Sequence, residues 1–238
     1  MPYWNGKLSL KPDDNDENTT GQSSEKKAIA LKAASLAEEG QIIGAGSGST
    51  SRLTVIAISK RINNENLSVT LIPTSYEIEM TCLHYGVPTA CLSQMQPDWC
   101  FDGTDEVDPE GNLIKGRGGA MYREKLVMLS SPVRYILADP GKYVKTLGEK
   151  FPVPVEVDPR ALHLVEESLM DIGATYVALR IAKGKDGPII TEKGNVILDC
   201  HFTALDENME TMISSIPGVL ESGLFMGYKP HILTTSQN

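Results

Sequence analysis

Residues 41–61 read QIIGAGSGSTSRLTVIAISKR. An apolar run, Gln41–Ala45, meets a turn of alternating glycine and serine, and Ser49–Arg61 follows with the apolar spacing of a helix. Strand, small polar turn and helix in that order open a βαβ unit, and the pattern continues outward on both sides. Upstream, Glu25–Glu39 is rich in Ala, Leu and Lys, with Ser24 as N-cap and Gly40 as a left-handed stop, so it predicts a helix. Downstream come a strand at Ser68–Ile72, a helix at Tyr76–Tyr85, a strand at Trp99–Phe101, a helix at Ala120–Leu129 and a strand at Val133–Ala138. Strands alternating with helices predict an α/β fold with a doubly wound, mostly parallel sheet.

The pattern changes after about residue 148. Phe151–Val157 (FPVPVEV) is extended, and its two prolines suit an edge strand or a strand start. Asp158 caps a helix that has Pro159 at its first position and runs to Asp171. Strands at Thr175–Arg180 and Asn195–Cys200 and a helix from about Asp206 to Ser215 follow. This order predicts a small α+β domain inserted before Tyr228–Thr235 returns as the last strand of the main sheet. The expected division is therefore a disordered acidic tail at 1–24, a main domain of 25–148 plus 223–238, and a small domain at 149–222.

Composition narrows the function. The 238 residues carry a formal charge of −9, which argues against nucleic acid as a partner, since phosphate-backbone affinity comes from clustered Lys and Arg. No apolar run approaches the roughly 20 residues of a membrane span. Asp13, Asp14, Asp16 and Glu17 occupy the place where a signal peptide needs an apolar core. Cys82, Cys91, Cys100 and Cys200 contain no C-x-x-C pair, and Cys82 with His84 lacks a second pair at zinc spacing. A cytoplasmic chain with free thiols and no metal is expected.

Three glycine-rich or acidic segments hold the candidate chemistry. In Gly44–Thr50 (GAGSGST), a turn between strand and helix aims backbone N–H groups and a helix N-terminus outward. With the Ser47, Ser49 and Thr50 hydroxyls they suit an anion. The Gly-Lys-Ser/Thr ending of a nucleoside-triphosphate loop and the third glycine of the dinucleotide fingerprint are both missing. Asp98–Glu110 packs six carboxylates and no basic residue at a strand's carboxyl end. That pattern fits acid/base work, a divalent-cation loop or a solvated acidic loop alike. In Lys115–Lys125 (KGRGGAMYREK), three glycines lead into a helix. Glu124 falls on the face shared with Ala120 and Val127, beside the glycines, although a Glu in a Glu-Lys helix is ordinarily a surface residue.

Taken in order, GAGSGST, FDGTDEVD, LIKGRGGAMYREK, FPVPVEV, GNVILD and PGVLESGLF resemble type A ribose-5-phosphate isomerase from about Lys26 to the end. The resemblance implies a Rossmann-like main domain with a small ferredoxin-like one. It also implies interconversion of D-ribose 5-phosphate and D-ribulose 5-phosphate, in the non-oxidative pentose phosphate branch, without metal or organic cofactor. Glu124 matches the family's proton acceptor. Ser47, Gly48, Ser49, Thr50, Asp102, Gly103, Thr104, Asp105, Lys115, Gly116, Arg117, Gly118 and Lys142 match its substrate-binding positions, and Lys26 a basic position near the phosphate.

Moving a proton between C2 and C1 through an enediol needs one base, Glu124, and a donor for the developing oxyanion, Lys115 with nearby amides. Asp102 or Asp105 would open the furanose ring. Arg117 stands where the family usually has glycine: with φ > 0 it would strain the loop, and with ordinary φ it adds a cation. A related aminosugar-phosphate deaminase would need a histidine near the acidic loop, and none lies between 98 and 162. A non-catalytic sugar-phosphate-binding paralogue or sensor is the alternative from another class. The family commonly forms homodimers or homotetramers, with Phe225, Met226 and Tyr228 as candidates for a contact or for the core.

Overall fold

The structure is a computed structural model and describes residues 21–235. In chain order these form α1 (Gly21–Ala34), β1 (Ile42–Ala45), α2 (Ser49–Glu65), β2 (Thr70–Pro73), α3 (Tyr76–Tyr85), β3 (Trp99–Gly103), β4 (Glu106–Val107), β5 (Leu113–Ile114), α4 (Met121–Ser130), β6 (Val133–Leu137), β7 (Val153–Val157), α5 (Leu162–Asp171), β8 (Ala174–Leu179), β9 (Val196–Phe202), α6 (Met209–Ser214), β10 (Val219–Ser222), β11 (Leu224–Phe225) and β12 (His231–Leu233). The chain divides into two compact units. The first takes the residues up to Gly103, Val127–Asp139 and those from His231. The second takes Thr104–Leu126 and Pro140–Pro230.

The first unit carries a five-stranded sheet ordered β12-β6-β3-β1-β2, with every neighbouring pair parallel. Ile43, Val55, Ile58, Leu71, Ile78, Trp99 and Phe101 fill its core, so the strands read as apolar runs, as strands buried on both faces do. The chain goes one way from β1 to β2 and the other way to β3. The carboxyl ends of β1 and β3 therefore lie side by side at the switch point, Ala45 in register with Phe101, where ligands bind in open α/β sheets.

Helix α1 begins at Gly21, so the last four residues of the expected tail are helical, and residues 1–20 lie outside those described. It also stops before Glu39. Arg61 Nη1 donates to the carbonyls of Ala34 (2.8 Å) and Ala37 (2.7 Å), satisfying acceptors that a longer helix would have used itself.

In the second unit β7-α5-β8-β9-α6-β10 fold into a four-stranded antiparallel sheet ordered β10-β7-β9-β8, the ferredoxin-like order. Val155, Val165, Leu169, Leu198, Ile213 and Leu224 sit in its core. Strand β7 is interior, so of the two places its prolines suit they take the strand start, not the edge: Pro152 precedes the strand and Pro154 is its second residue. Pro154 lies at the end of the β10 pairing, where its carbonyl accepts from Gly223 N (2.7 Å) and no proline donor is needed. A three-stranded sheet, β11-β5-β4, was not expected from the sequence. Its pairing draws 104–126 into this unit, beyond the expected 149–222. The buried Glu106 carboxylate adds to this by accepting from the amides of Gly148, Lys150 and Phe151 (2.7, 2.6 and 2.7 Å). Phe225 is in the core.

Candidate active site

Within the first unit, the turn after β1 and the end of β3 are built against each other. A Cβ on Gly46 would stand 2.2 Å from the carboxyl carbon of Asp102, so only glycine lets the two backbones approach. Asp102 is buried and its Oδ1 accepts from Ser47 N (3.1 Å) and Gly103 N (2.7 Å). Ser47 Oγ lies 2.8 Å from Thr74 Oγ1, and the Thr74 hydroxyl also reaches the Ala45 carbonyl (3.1 Å). Gly48, at φ +88°, precedes α2 without any side-chain cap, which leaves the helix N-terminus open to an anion.

Lys26 Nζ donates to Ser49 Oγ (3.3 Å), so the cation expected near this turn is there. A carboxylate is there too: Glu77 Oε2 accepts from Gly48 N at 3.3 Å. Thr74 and Glu77 were not picked out in the sequence. Thr74 follows a strand and Glu77 sits in a helix's first turn, places where such residues are ordinary.

The six acids of 98–110 divide between the two units. Asp98 accepts from Ile42 N (2.8 Å) in the first unit. In the second, Glu106 serves the three amides named above, and Asp108 accepts from the Asn112 amide and side chain (2.8 and 2.9 Å). Asp98, Asp102, Asp105, Glu106 and Asp108 thus each hold backbone amides, and no group of three metal-type ligands occurs among the described residues. Thr104 spends its hydroxyl on the Glu106 and Ile114 carbonyls (2.6 and 3.0 Å). Asp105 is half-buried and accepts from Arg117 N (3.3 Å).

The second unit holds the most unusual electrostatics. Lys115 follows β5, its amide donating to Gly223 O (2.9 Å). Its Nζ lies 3.1 Å from Glu124 Oε2, with side chains only 3% and 6% exposed. Glu124 is on the first turn of α4, buried like Ala120 and Val127, so the face read from the sequence is a buried one. Opposite charges taken out of water together offset part of each other's desolvation cost. The next residue is buried as well: Lys125 Nζ contacts Glu210 Oε1 (2.7 Å), Glu221 Oε1 (2.6 Å) and Leu224 O (2.9 Å). The Phe225 ring lies under both lysines, 5.6 Å from Lys115 Nζ and 4.6 Å from Lys125 Nζ.

The intervening loop is shaped by Gly116, at φ +99° and pressed on Met121. Arg117 is not among the residues of positive φ, so it sits in the loop without left-handed strain. Its guanidinium lies over the Phe151 ring, 4.6 Å from the centroid, a cation–π contact. Lys142 ends a short 3-10 turn, Pro140–Lys142. The sequence-predicted residues therefore form two sets. Lys26, Ser47, Gly48, Ser49, Thr50, Asp102 and Gly103 belong to the first unit. Thr104, Asp105, Lys115, Gly116, Arg117, Gly118, Glu124 and Lys142 belong to the second, and the chain joins the sets at Gly103–Thr104.

A family model described as ribose 5-phosphate isomerase A (phosphoriboisomerase A) matches residues 70–238. The ribose-5-phosphate isomerase A of Methanothermobacter thermautotrophicus is 40% identical over 204 residues, covering 85% of this chain and 89% of that protein. Among solved structures, ribose 5-phosphate isomerase A of Methanocaldococcus jannaschii superposes with a TM-score of 0.84 at 39% identity, over 88% of this chain and 94% of that one. A D-ribose-5-phosphate isomerase in complex with phospho-erythronic acid matches with the same TM-score, at 36% identity, over 88% of this chain and 94% of that one. No helix among the described residues is long and apolar enough to cross a membrane.

Proposed function

The chain belongs to the ribose 5-phosphate isomerase A family, and we propose that it interconverts D-ribose 5-phosphate and D-ribulose 5-phosphate with Glu124 as the base. The observation that carries this reading is the buried Lys115–Glu124 pair at 3.1 Å. It offers a proton acceptor and a fixed positive charge at ion-pair distance from each other. Glu124 takes the proton from C2 of the open-chain aldose and returns it to C1. The electron pair passes to the carbonyl oxygen O1, and Lys115 with the amides of the glycine-rich loop stabilises the resulting enediolate. The O2 hydroxyl proton passes to O1 as the C2 carbonyl forms and C1 is protonated. A fixed ammonium supplies the positive charge that a metal ion could otherwise supply, so the reaction is expected to run in EDTA.

Other groups have supporting parts. The furanose must open first, and Asp102 or Asp105 takes the anomeric hydroxyl proton. In the first unit Lys26 and the α2 N-terminus hold the phosphate, which displaces the Glu77 carboxylate from Gly48 N, and Lys142 is the second unit's candidate substrate contact. Binding energy at that end orients the reacting carbons. Phospho-erythronic acid, held by a relative, has a planar carboxylate where an enediolate would carry its charge, which agrees with a site built for that anion. The proposed place of the reaction is the non-oxidative pentose phosphate branch.

The test is turnover of ribose 5-phosphate by the purified chain with EDTA present, beside Glu124→Gln. Loss of a general base lowers kcat by about 10²–10⁴-fold. Full activity in the variant would remove Glu124 from the role, and activity lost to EDTA would restore a metal.

A further inference from the structure

Arg180, at the end of β8, is outside every motif quoted above, yet its guanidinium grips the glycine-rich loop. Its Nη1 donates to two successive carbonyls, Gly116 O (3.1 Å) and Arg117 O (2.8 Å). The rest of the fork is locked by Asp199 on the neighbouring strand: Nε donates to Oδ2 at 2.8 Å and Nη2 donates to Oδ1. Arg180 and Asp199 side chains are 13% and 22% exposed, and they meet on one face of adjacent strands as a diagonal pair, Arg180 lying two residues beyond Ala178, the register partner of Asp199. The arginine is therefore immobilised before it touches the loop.

Two consecutive carbonyls drawn to one donor fix two peptide planes. In a trans peptide the N–H points opposite to the C=O, so the amides of Arg117 and Gly118 are turned away from Arg180. The Arg117 amide does point elsewhere, to Asp105 Oδ2 (3.3 Å). Backbone amides held away from the arginine present partial positive charge of the kind that receives a developing oxyanion, and at rest the Arg117 amide meets a carboxylate oxygen. The loop is tied to this unit's main sheet at its other end as well. Glu192 N donates to Gly119 O (3.3 Å), and Gly119 lies against Thr191 and Ile197. Only Arg suits the central contact, because a lysine ammonium lacks the rigid fork that serves a carboxylate and two carbonyls together.

We propose that Arg180, held by Asp199, is a positioning residue that sets the Arg117 and Gly118 amides for the isomerisation transition state. The inference rests on the reading of Lys115 and these amides as oxyanion donors. Such a residue acts on kcat more than on KM, because the loop's charge complementarity matters most when the oxyanion forms.

The experiment compares Arg180→Ala, Arg180→Lys and Asp199→Asn with the parent. It measures kcat, KM, recovery by millimolar guanidinium against sodium chloride, and amide exchange of the 116–119 peptide by mass spectrometry. In Arg180→Ala, kcat falls about 10–100-fold, KM stays within about threefold, exchange at 116–119 quickens about tenfold, and guanidinium restores part of kcat. Parent-like kcat overturns the proposal, and so does a fall in kcat with unchanged loop exchange. If Arg180→Ala does not fold, Arg180→Lys decides: a folded variant with parent kcat shows that the fork is not needed and overturns the proposal. Were the parent itself inactive on ribose 5-phosphate, the reading of the site would fall. Loop exchange in the variants would still decide whether Arg180 holds the loop.

Discussion

Replacing Lys115 by Met tests the electrostatics on which the site reading stands. The substitution keeps much of the side-chain volume and removes the charge, leaving Glu124 buried without its cation. At 3.1 Å and an effective dielectric of about 20, opposite unit charges attract by about 5 kcal/mol. Breaking a buried pair by removing one partner ordinarily costs about 3–5 kcal/mol, so the two routes agree. Lys115→Met should lose about 3–5 kcal/mol at neutral pH. Lys115→Met with Glu124→Met, which removes both charges, should return to within about 2 kcal/mol of the parent, since buried pairs exchange for apolar residues at little net cost. Urea unfolding is followed by far-UV circular dichroism for the whole chain, by amide exchange in β7 and β9 for the second unit, and by Trp99 fluorescence in a Trp4→Phe background for the first. A single variant within about 1 kcal/mol of the parent, or a double variant no better than the single one, would refute a tightly coupled buried pair.

Two further outcomes check the local packing. Gly46→Ala places a methyl group 2.2 Å from the Asp102 carboxyl carbon; thermal melts should show a loss of about 1–3 kcal/mol, and turnover should fall as Asp102 is displaced, while a parent-like melt and kcat would mean that the turn is loose. Thiol labelling at mildly alkaline pH should modify one cysteine in the folded protein, the exposed Cys91, and four after denaturation. Burial pushes the Cys82 thiol up to about 12 and the Cys200 thiol upward too, so two or more labels under native conditions would mean that the cores open.

Much of the fold was legible because local signals agreed with the tertiary outcome. Helix α3 spans the expected residues since Ser75 caps it, accepting from Ile78 N (3.3 Å), and Gly86 ends it at φ +69°. The end of α1 was not legible, because the donor that stops it, Arg61, lies 27 residues beyond Ala34. Strands β4, β5 and β11 are two residues each, too short for any period to register.

The site divides in the same way. Glycine turns and the Glu124 face announce themselves through spacing. Lys125 does not, for a lysine beside a glutamate on a helix reads as solvated, and its burial depends on Glu210 and Glu221, 85 and 96 residues away. Arg180 was hidden for a related reason: its role is set by carbonyls, which every residue has, and the fold alone decides which carbonyls it meets.

The central claim is that Glu124 moves the proton, and solvent-isotope incorporation measures that transfer itself. With ribose 5-phosphate in D2O, the parent should place solvent deuterium on the carbons between which the proton moves, seen by NMR. Glu124→Gln, folded as the parent is, should show neither isomerisation nor deuterium at those carbons on the same timescale, a loss of at least about 10²-fold. Deuterium entering at the parent's rate in Glu124→Gln would contradict the account.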